Sequence, residues 1–348
     1  LIMIILKDIP LTENMLRRSI RVAFGATLGF AICKMMGWDY GVFFTIFPIL
    51  LLGLVPKMNG HAARQLLFSS AITGIEVGIL GGLFGSHPGM MIPIVFVLFL
   101  YRFISMSKGS LFLFGATGTV ALSIMLHFAS YPNTDINDMI FTNFIASIIS
   151  TLIAFVLVTL IPDKAENAPK KPATKQTNRI RHEALMGASV ATLSFVAFQV
   201  FDLYDSLSAQ VTTVLLLFPM HWNGSLTYAR QRSLGSMIGV CYALIVQLLL
   251  QNWSDTLLFV IMFLWLGTLI FGHWHVKESA GSGVGFSAMT TLAVLYGMYL
   301  TPENDLVYSS LYRVSSISVA IIGTLIAIYF MHYLLNQFTA TRFLSPTT

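Results

Sequence analysis

Charge is what this chain has least of. Only 10% of its 348 residues are Asp, Glu, Lys or Arg, against roughly a quarter in soluble globular proteins. That shortage excludes a soluble domain with an ordinary hydrated surface. Cysteine is nearly missing too. Cys33 and Cys241 both lie in apolar runs, so neither a disulfide framework nor a cysteine metal pair is expected. The chain has no Walker phosphate loop, no G-x-S-x-G motif and no acidic catalytic pair, which argues against ATP-driven work and against catalysis. In "HWHVKESAGSGVG", His273 to Gly285, the glycines follow no strand and the two histidines lack a third partner at metal spacing. Neither a nucleotide nor a zinc ion is expected there, and no cofactor is implied.

Apolar residues take the place of charge. The chain is 56% hydrophobic, with 27 Phe, 17 Met and 26 Gly, and glycine is commoner in transmembrane helices than in soluble ones. A helix needs about 20 apolar residues to cross a bilayer core. Twelve runs qualify, at about 16–36, 40–56, 65–84, 88–104, 110–129, 139–161, 184–201, 206–222, 233–250, 256–272, 283–300 and 306–335. The expected fold is an all-α integral membrane protein with about twelve transmembrane helices. Leu1–Leu6 is too short for a signal h-region, and 1–14 reads as an interfacial segment.

The few charges are sorted by side. All but Lys34 and Arg313 of the 20 Lys and Arg fall at alternate ends of these runs or in the stretch 162–180. The opposite loops carry Asp39, Asp135, Asp138, Asp202, Asp205, Asp255, Glu303 and Asp305 and no basic residue. Cytoplasmic loops hold the Lys/Arg excess, so both termini are expected in the cytoplasm. The net charge of +5 then reflects topology in a lipid bilayer, not nucleic-acid binding.

The stretch "PDKAENAPKKPATKQTNRIR" has the composition of a flexible tether. On either side the chain repeats itself. "NDMIFTNFIASIISTLIAFVLVTLIP" is echoed 167 residues later by "NDLVYSSLYRVSSISVAIIGTLIAIYF". The organisation expected is two parallel six-helix repeats, 15–161 and 181–337, joined by a cytoplasmic linker at 162–180 and followed by a tail at 338–348.

Polar residues inside so apolar a chain are the functional candidates. Asn59-Gly60 and Asn223-Gly224 each follow an apolar run and precede arginines. One reading is a glycine C-cap and turn with arginines at the headgroups. The other is a cytoplasmic anion-collecting vestibule of Asn59, Arg64, Arg102, His221, Trp222, Asn223, Arg230 and Arg232. Gly235 and Gly239, four apart, suit close helix packing.

Glu76 sits about ten residues from either end of its run, roughly 15 Å deep at 1.5 Å per residue. Intramembrane acids usually face a cavity or a partner, so Glu76 is read as a proton carrier or as a protonated structural group. Arg313 lies about seven residues into the last run, with Ser309 and Ser316 on its face. It is read as a substrate-carboxylate partner or as half of an ion pair with Glu76 or Asp305. Asn143 stands opposite Ser310 at the 167 offset. Lys34 either snorkels or binds substrate, and His127 either relays protons or is a satisfied buried histidine.

"LRRSIRVAFGATLGFAI" followed by Trp38, then "RSLGSMIG", then "LYRVSSISVAIIGTLIA" closing the second half, resemble the membrane domains of the fusaric acid resistance and aromatic acid exporter superfamily. The likeness covers about 15–161 and 181–335, with Arg232, Gly235 and Gly239 matching its Arg-Gly-Gly pattern and Arg313 the arginine of its closing helix. It implies a Gram-negative inner-membrane pump exporting aromatic or other organic acids, working with a periplasmic membrane-fusion adaptor and an outer-membrane channel. Larger members carry a sizeable soluble cytoplasmic domain; here only the short linker and tail are found, as in a compact branch. The function expected is proton-coupled export of an organic anion. A passive anion channel and a non-transporting assembly factor are the alternatives, and a homo-oligomer is compatible with each.

Overall fold

A computed structural model describes residues 12–55, 58–84, 88–129, 134–164, 175–203, 206–250, 256–278, 283–299 and 306–343. Among these, all regular secondary structure is helical. In chain order the helices are α1 (Glu13–Met36), α2 (Val42–Leu54), α3 (Gly60–Phe84), α4 (Pro88–Lys108), α5 (Phe112–Ala129) and α6 (Ile136–Leu160). The second set is α7 (Thr177–Val200), α8 (Leu207–Leu216), α9 (Trp222–Leu249), α10 (Leu257–Lys277), α11 (Val284–Tyr299) and α12 (Leu306–Asn336).

Local chemistry fixes many of the ends. Thr12 caps α1 by accepting the Met15 N–H at 3.3 Å, and Gly37, at φ 67°, turns the chain out by donating to Cys33 and Lys34 carbonyls. A left-handed closure of this kind is what glycine permits without a Cβ penalty. Asp135 caps α6 through the N–H groups of Asn137 and Asp138.

Two classes of helix result. Among the described residues nine helices are long and apolar enough to cross a membrane. The other three, α2, α8 and α11, have 13, 10 and 16 residues. At 1.5 Å per residue they span about 20, 15 and 24 Å, short of the roughly 30 Å hydrocarbon core. They are also buried almost all round: every residue of α8 and all but Leu54 of α2 are buried. Short helices are tolerated at membrane depth only where protein, not lipid, surrounds their ends. The carbonyl end of α2 illustrates this, with Gly53 accepting from the Arg18 guanidinium and lying 3.0 Å from His275 Nε2.

The three short helices and α5 form the middle of the bundle. α2 packs on α11 and α5, and α8 packs on α5 and α11, which closes a four-helix ring. Two matching polar bonds tie it: Thr45 of α2 donates to the Ala293 carbonyl of α11 at 2.9 Å, and Gln210 of α8 donates to Ser123 of α5 at 3.0 Å. The remaining eight helices surround this ring. Pairings α3–α5, α3–α6, α2–α6 and α4–α5 recur as α9–α11, α9–α12, α8–α12 and α10–α11, while α4 crosses to α7 as α10 crosses to α1.

Two expected boundaries move. The run expected at 206–222 stops at Leu216, with turns through 219, and α9 begins at Trp222 instead of about 233. Helix α7 likewise starts at Thr177, inside the stretch read as linker. In both places polar residues that looked like turn material form the first turns of a long helix.

Candidate functional site

The site builds around a guanidinium that has no counter-ion. Arg232 lies ten residues after the start of α9, and only 1% of it is exposed. It is carried against α11 by two glycines. A Cβ on Gly235 would strike the Val284 carbonyl, and one on Gly239 would stand 2.9 Å from the Ala288 carbonyl. The close approach lets the Arg232 side chain reach between α8 and α11. There it donates to Thr290 Oγ1, to Thr212 Oγ1 at 3.3 Å and to the Ser287 carbonyl at 3.4 Å. All three are neutral acceptors. Among the described residues no acid pairs with Arg232.

The neighbourhood is not fully satisfied. Arg232 Nε, Ser287 Oγ and Tyr228 Oη, the last one turn earlier on α9, are buried without a hydrogen-bond partner. Tyr228 nonetheless stands near enough to Ser287 and Arg232 to interact with both. Ser208 Oγ and Gln210 Oε1 on α8 are likewise unpaired. Burying a charge without a partner is costly. A cluster of one cation with donors to spare, at the edge of the central ring, is what an anion needs.

The contrast is Arg102, the other fully buried arginine. It was expected near the cytoplasmic surface, but α4 runs on to Lys108 and places it well inside the helix. It pairs with Glu76 and donates to Thr73 Oγ1 at 2.9 Å, so the partner of Glu76 here is Arg102 of α4. Gly118 of α5 leaves the room; a Cβ there would collide with Arg102 Nη1. Cation and anion compensate each other here, although Arg102 Nε and Nη1 are buried without a hydrogen-bond partner.

Residues 192–330 match the family described as fusaric acid resistance protein-like, and residues 18–157 match a family of unknown function (DUF2955). The chain carries a fusaric acid resistance protein-like domain. No curated protein and no solved structure matches the chain. A domain of this family in a multi-pass membrane protein implies a transporter-type role, and is typical of transporters rather than of enzymes. Arg232, with its glycine pair and its partners on α8 and α11, falls within the fusaric acid resistance protein-like segment.

The other expected residues scatter. Asn59 caps α3, its Oδ1 accepting the Ala62 N–H at 2.8 Å, and Arg64 Nε donates back to the Gly60 carbonyl at 3.2 Å. His221 caps α9 through its Nδ1, which accepts the Gly224 N–H at 2.9 Å. Asn223-Gly224 therefore opens a helix, as Asn59-Gly60 does, where a C-cap turn was expected. Trp222 packs edge-on against Tyr329, and Asn223 and Arg230 are exposed. The expected vestibule thus splits into two helix starts and two buried arginines.

His221 has a displaced titration. Burial, and then the nearby charges of Arg179 and Lys175, hold it below the ordinary histidine range. Glu278, just past α10, is pushed up by burial although its carboxylate accepts the Val284 and Gly285 N–H groups at the start of α11.

Lys34 is exposed over the Phe30 ring. His127 is buried edge-on to Phe128 and Phe198. Asn143 donates to the Ser70 carbonyl at 3.1 Å. Ser316 lines a groove between α7 and α12. The side chains of Arg313 and Ser309 lie outside the described residues.

Sequence reading missed Thr212 and Thr290 altogether, and placed Arg232 at the headgroups. The available signal was its distance from Trp222. With the helix starting there, Arg232 lies roughly 15 Å along it.

Proposed function

We propose that this protein exports organic acids across the membrane, with Arg232 as the group that holds the anion. The observation that carries the reading is a fully buried guanidinium with three neutral partners and, among the described residues, no acid. A carboxylate would complete it, since the planar fork of arginine accommodates two oxygens at once. The similarity of residues 192–330 to fusaric acid resistance proteins supports a transporter; the organic acid, the direction of transport and the coupling belong to this proposal.

Proton coupling is assigned to Glu76. Protonation removes the charge that Arg102 pairs with, so the α3–α4 contact would be latched when Glu76 is ionised and released when it is not. Arg313 remains the candidate for passing the anion along. A periplasmic membrane-fusion adaptor and an outer-membrane channel complete the export route in a Gram-negative inner membrane.

Efflux of labelled benzoate from proteoliposomes tests the reading. Arg232→Ala should abolish it, while Glu76→Gln should abolish only the part driven by a pH gradient. Full efflux in Arg232→Ala would sink the anion assignment.

A second reading has its own support. Because Glu76 is already compensated by Arg102, the pair can be purely structural, and anion flow then needs no proton. Current that reverses at the benzoate equilibrium potential and ignores pH would favour this channel-like behaviour.

A further inference from the structure

The two halves differ in how closely their first two helices pack. In the first, α1 lies tightly on α2. Gly29 leaves no room for a Cβ beside the Phe44 carbonyl, and a Cβ on Gly25 would be 2.6 Å from Leu52 and 3.3 Å from Pro48. In the second, α7 does not close on α8 in this way, and a cleft bounded by α7 and α12 is open down to α8. It forms a groove of about 590 Å³, within the size range of small-molecule sites.

The walls say what the groove could hold. They are mostly apolar, contributed by Val190 and Ala197 of α7, Ala209 of α8, and Val319, Ala320 and Gly323 of α12, and among the described residues no acidic or basic side chain lines them. Leu193 and Val319 on the rim are 57% and 69% exposed. Both belong to helices long enough to cross the membrane, so the mouth opens sideways toward lipid. Two internal bonds, Ser206–Tyr312 at 2.8 Å and Thr324–Thr213 at 3.1 Å, satisfy most of the hydroxyls. Ser315 donates to the Tyr312 carbonyl at 2.8 Å, whereas Ser194, 8% exposed, has a buried Oγ with no partner.

The floor connects the groove to the cation. Thr213 lines it, and the preceding residue, Thr212, accepts from Arg232. A single helix therefore separates a mostly apolar groove open to the bilayer from a guanidinium that pairs with no acid among the described residues.

We propose that this groove binds the alkyl body of an amphipathic carboxylate taken directly from the membrane, so that the acid is loaded sideways from a leaflet and not from water. The inference rests on the anion reading of Arg232 for what happens next, but the groove can be tested without it. A molecule with an alkyl chain and a carboxylate partitions into the bilayer with its chain at the depth of α7 and α12. A free Ser194 hydroxyl and an apolar wall recognise it there, and Arg232 draws the charged end toward the ring.

The test uses the full chain in phosphatidylcholine nanodiscs and a diazirine-bearing decanoate, with an equally long diazirine-bearing alcohol as the neutral control. Cross-links mapped by mass spectrometry should concentrate on α7 and α12 residues of the groove for the acid. Gly323→Phe and, separately, Ala320→Leu should lower this labelling by about tenfold as the added side chain fills the site. Labelling spread evenly over lipid-facing residues overturns the proposal. So does groove labelling by the alcohol equal to that by the acid, which would make it a lipid-chain site. Arg232→Ala separates the two readings: groove labelling retained with efflux intact overturns the anion assignment alone. Efflux lost in Arg232→Ala while Gly323→Phe leaves labelling unchanged overturns the groove alone.

Discussion

A buried arginine is informative in proportion to what it lacks. Arg102 has Glu76 and Arg232 has only hydroxyls and a carbonyl, and from that difference follow opposite expectations. Hydrogen bonds to a charged group contribute about 1.5–3 kcal/mol each, so losing one with substrate bound should weaken apparent affinity by about 10- to 100-fold. Arg232→Lys keeps the charge but not the fork. It should therefore raise the half-saturating benzoate concentration in an efflux assay by that factor, with Arg232→Ala inactive. At the same scale His221 makes a pH prediction. Its folded pKa lies below its unfolded value because of burial and of Arg179 and Lys175. Its contribution to stability is therefore present above about pH 6.5 and is lost as pH falls through the folded value. Protonation also removes the Nδ1 lone pair that caps α9. Melting temperature in detergent should fall between pH 8 and pH 5, and His221→Asn, a cap that does not titrate in this range, should flatten that fall.

Elements are held together here by close backbone approach and by buried ion pairs such as Glu76–Arg102. The α9–α11 contact depends on Gly235, where any Cβ meets the Val284 carbonyl. Gly235→Val should cost about 1–3 kcal/mol by overpacking, read as a lower melting temperature. It should also disturb transport, since the same contact aims Arg232. Gly82→Ala, on an open face of α3 with nothing within 4 Å of its Cβ, is the matched control and should change neither. Between α3 and α4, breaking the Glu76–Arg102 pair with Glu76→Gln leaves a buried guanidinium uncompensated. Such losses run to about 3–5 kcal/mol, whereas replacing both partners by apolar residues is often neutral. Glu76→Gln should therefore melt lower than the double variant Glu76→Leu with Arg102→Met. The reverse order would mean that Glu76 is already neutral in the folded protein. These contacts were partly legible beforehand, because small residues four apart announce close packing whatever the partner. The partner itself, α11 for Gly235 and Ile140 of α6 for Gly74, required the assembled bundle.

At the scale of the whole molecule, energy for export need not come from protons. Moving one negative charge outward through a 100 mV potential is worth about 2.3 kcal/mol, roughly a 50-fold gradient. A potassium diffusion potential imposed on proteoliposomes, with pH equal on both sides, should therefore drive benzoate efflux through the wild type. If Glu76 couples transport to protons, a pH gradient applied at zero potential adds a second component that Glu76→Gln lacks. Equal responses of the two proteins to the pH gradient would leave Glu76 a structural residue.

The sequence by itself determined that the chain is an all-helical, multi-pass membrane protein. Hydropathy is a property of consecutive residues, and the bilayer reads it locally. The sorting of Lys and Arg to alternate loop positions follows from the same local rule. Which helices sit in the middle was decided only in three dimensions. Runs 40–56 and 88–104 were both near the short end for a span, and 206–222 and 283–300 looked much like the others. Yet it is the helices of 40–56, 206–222 and 283–300 that are short and buried in the ring, because neighbours distant in sequence cover them. The site was decided there too. Glu76 stood out as an acid where acids are expensive, but its partner is 26 residues away on another helix. Arg232 looked like one more headgroup arginine until α8 and α11 closed around it. Charge compensation depends on distances between helices, and no spacing along one helix can supply them.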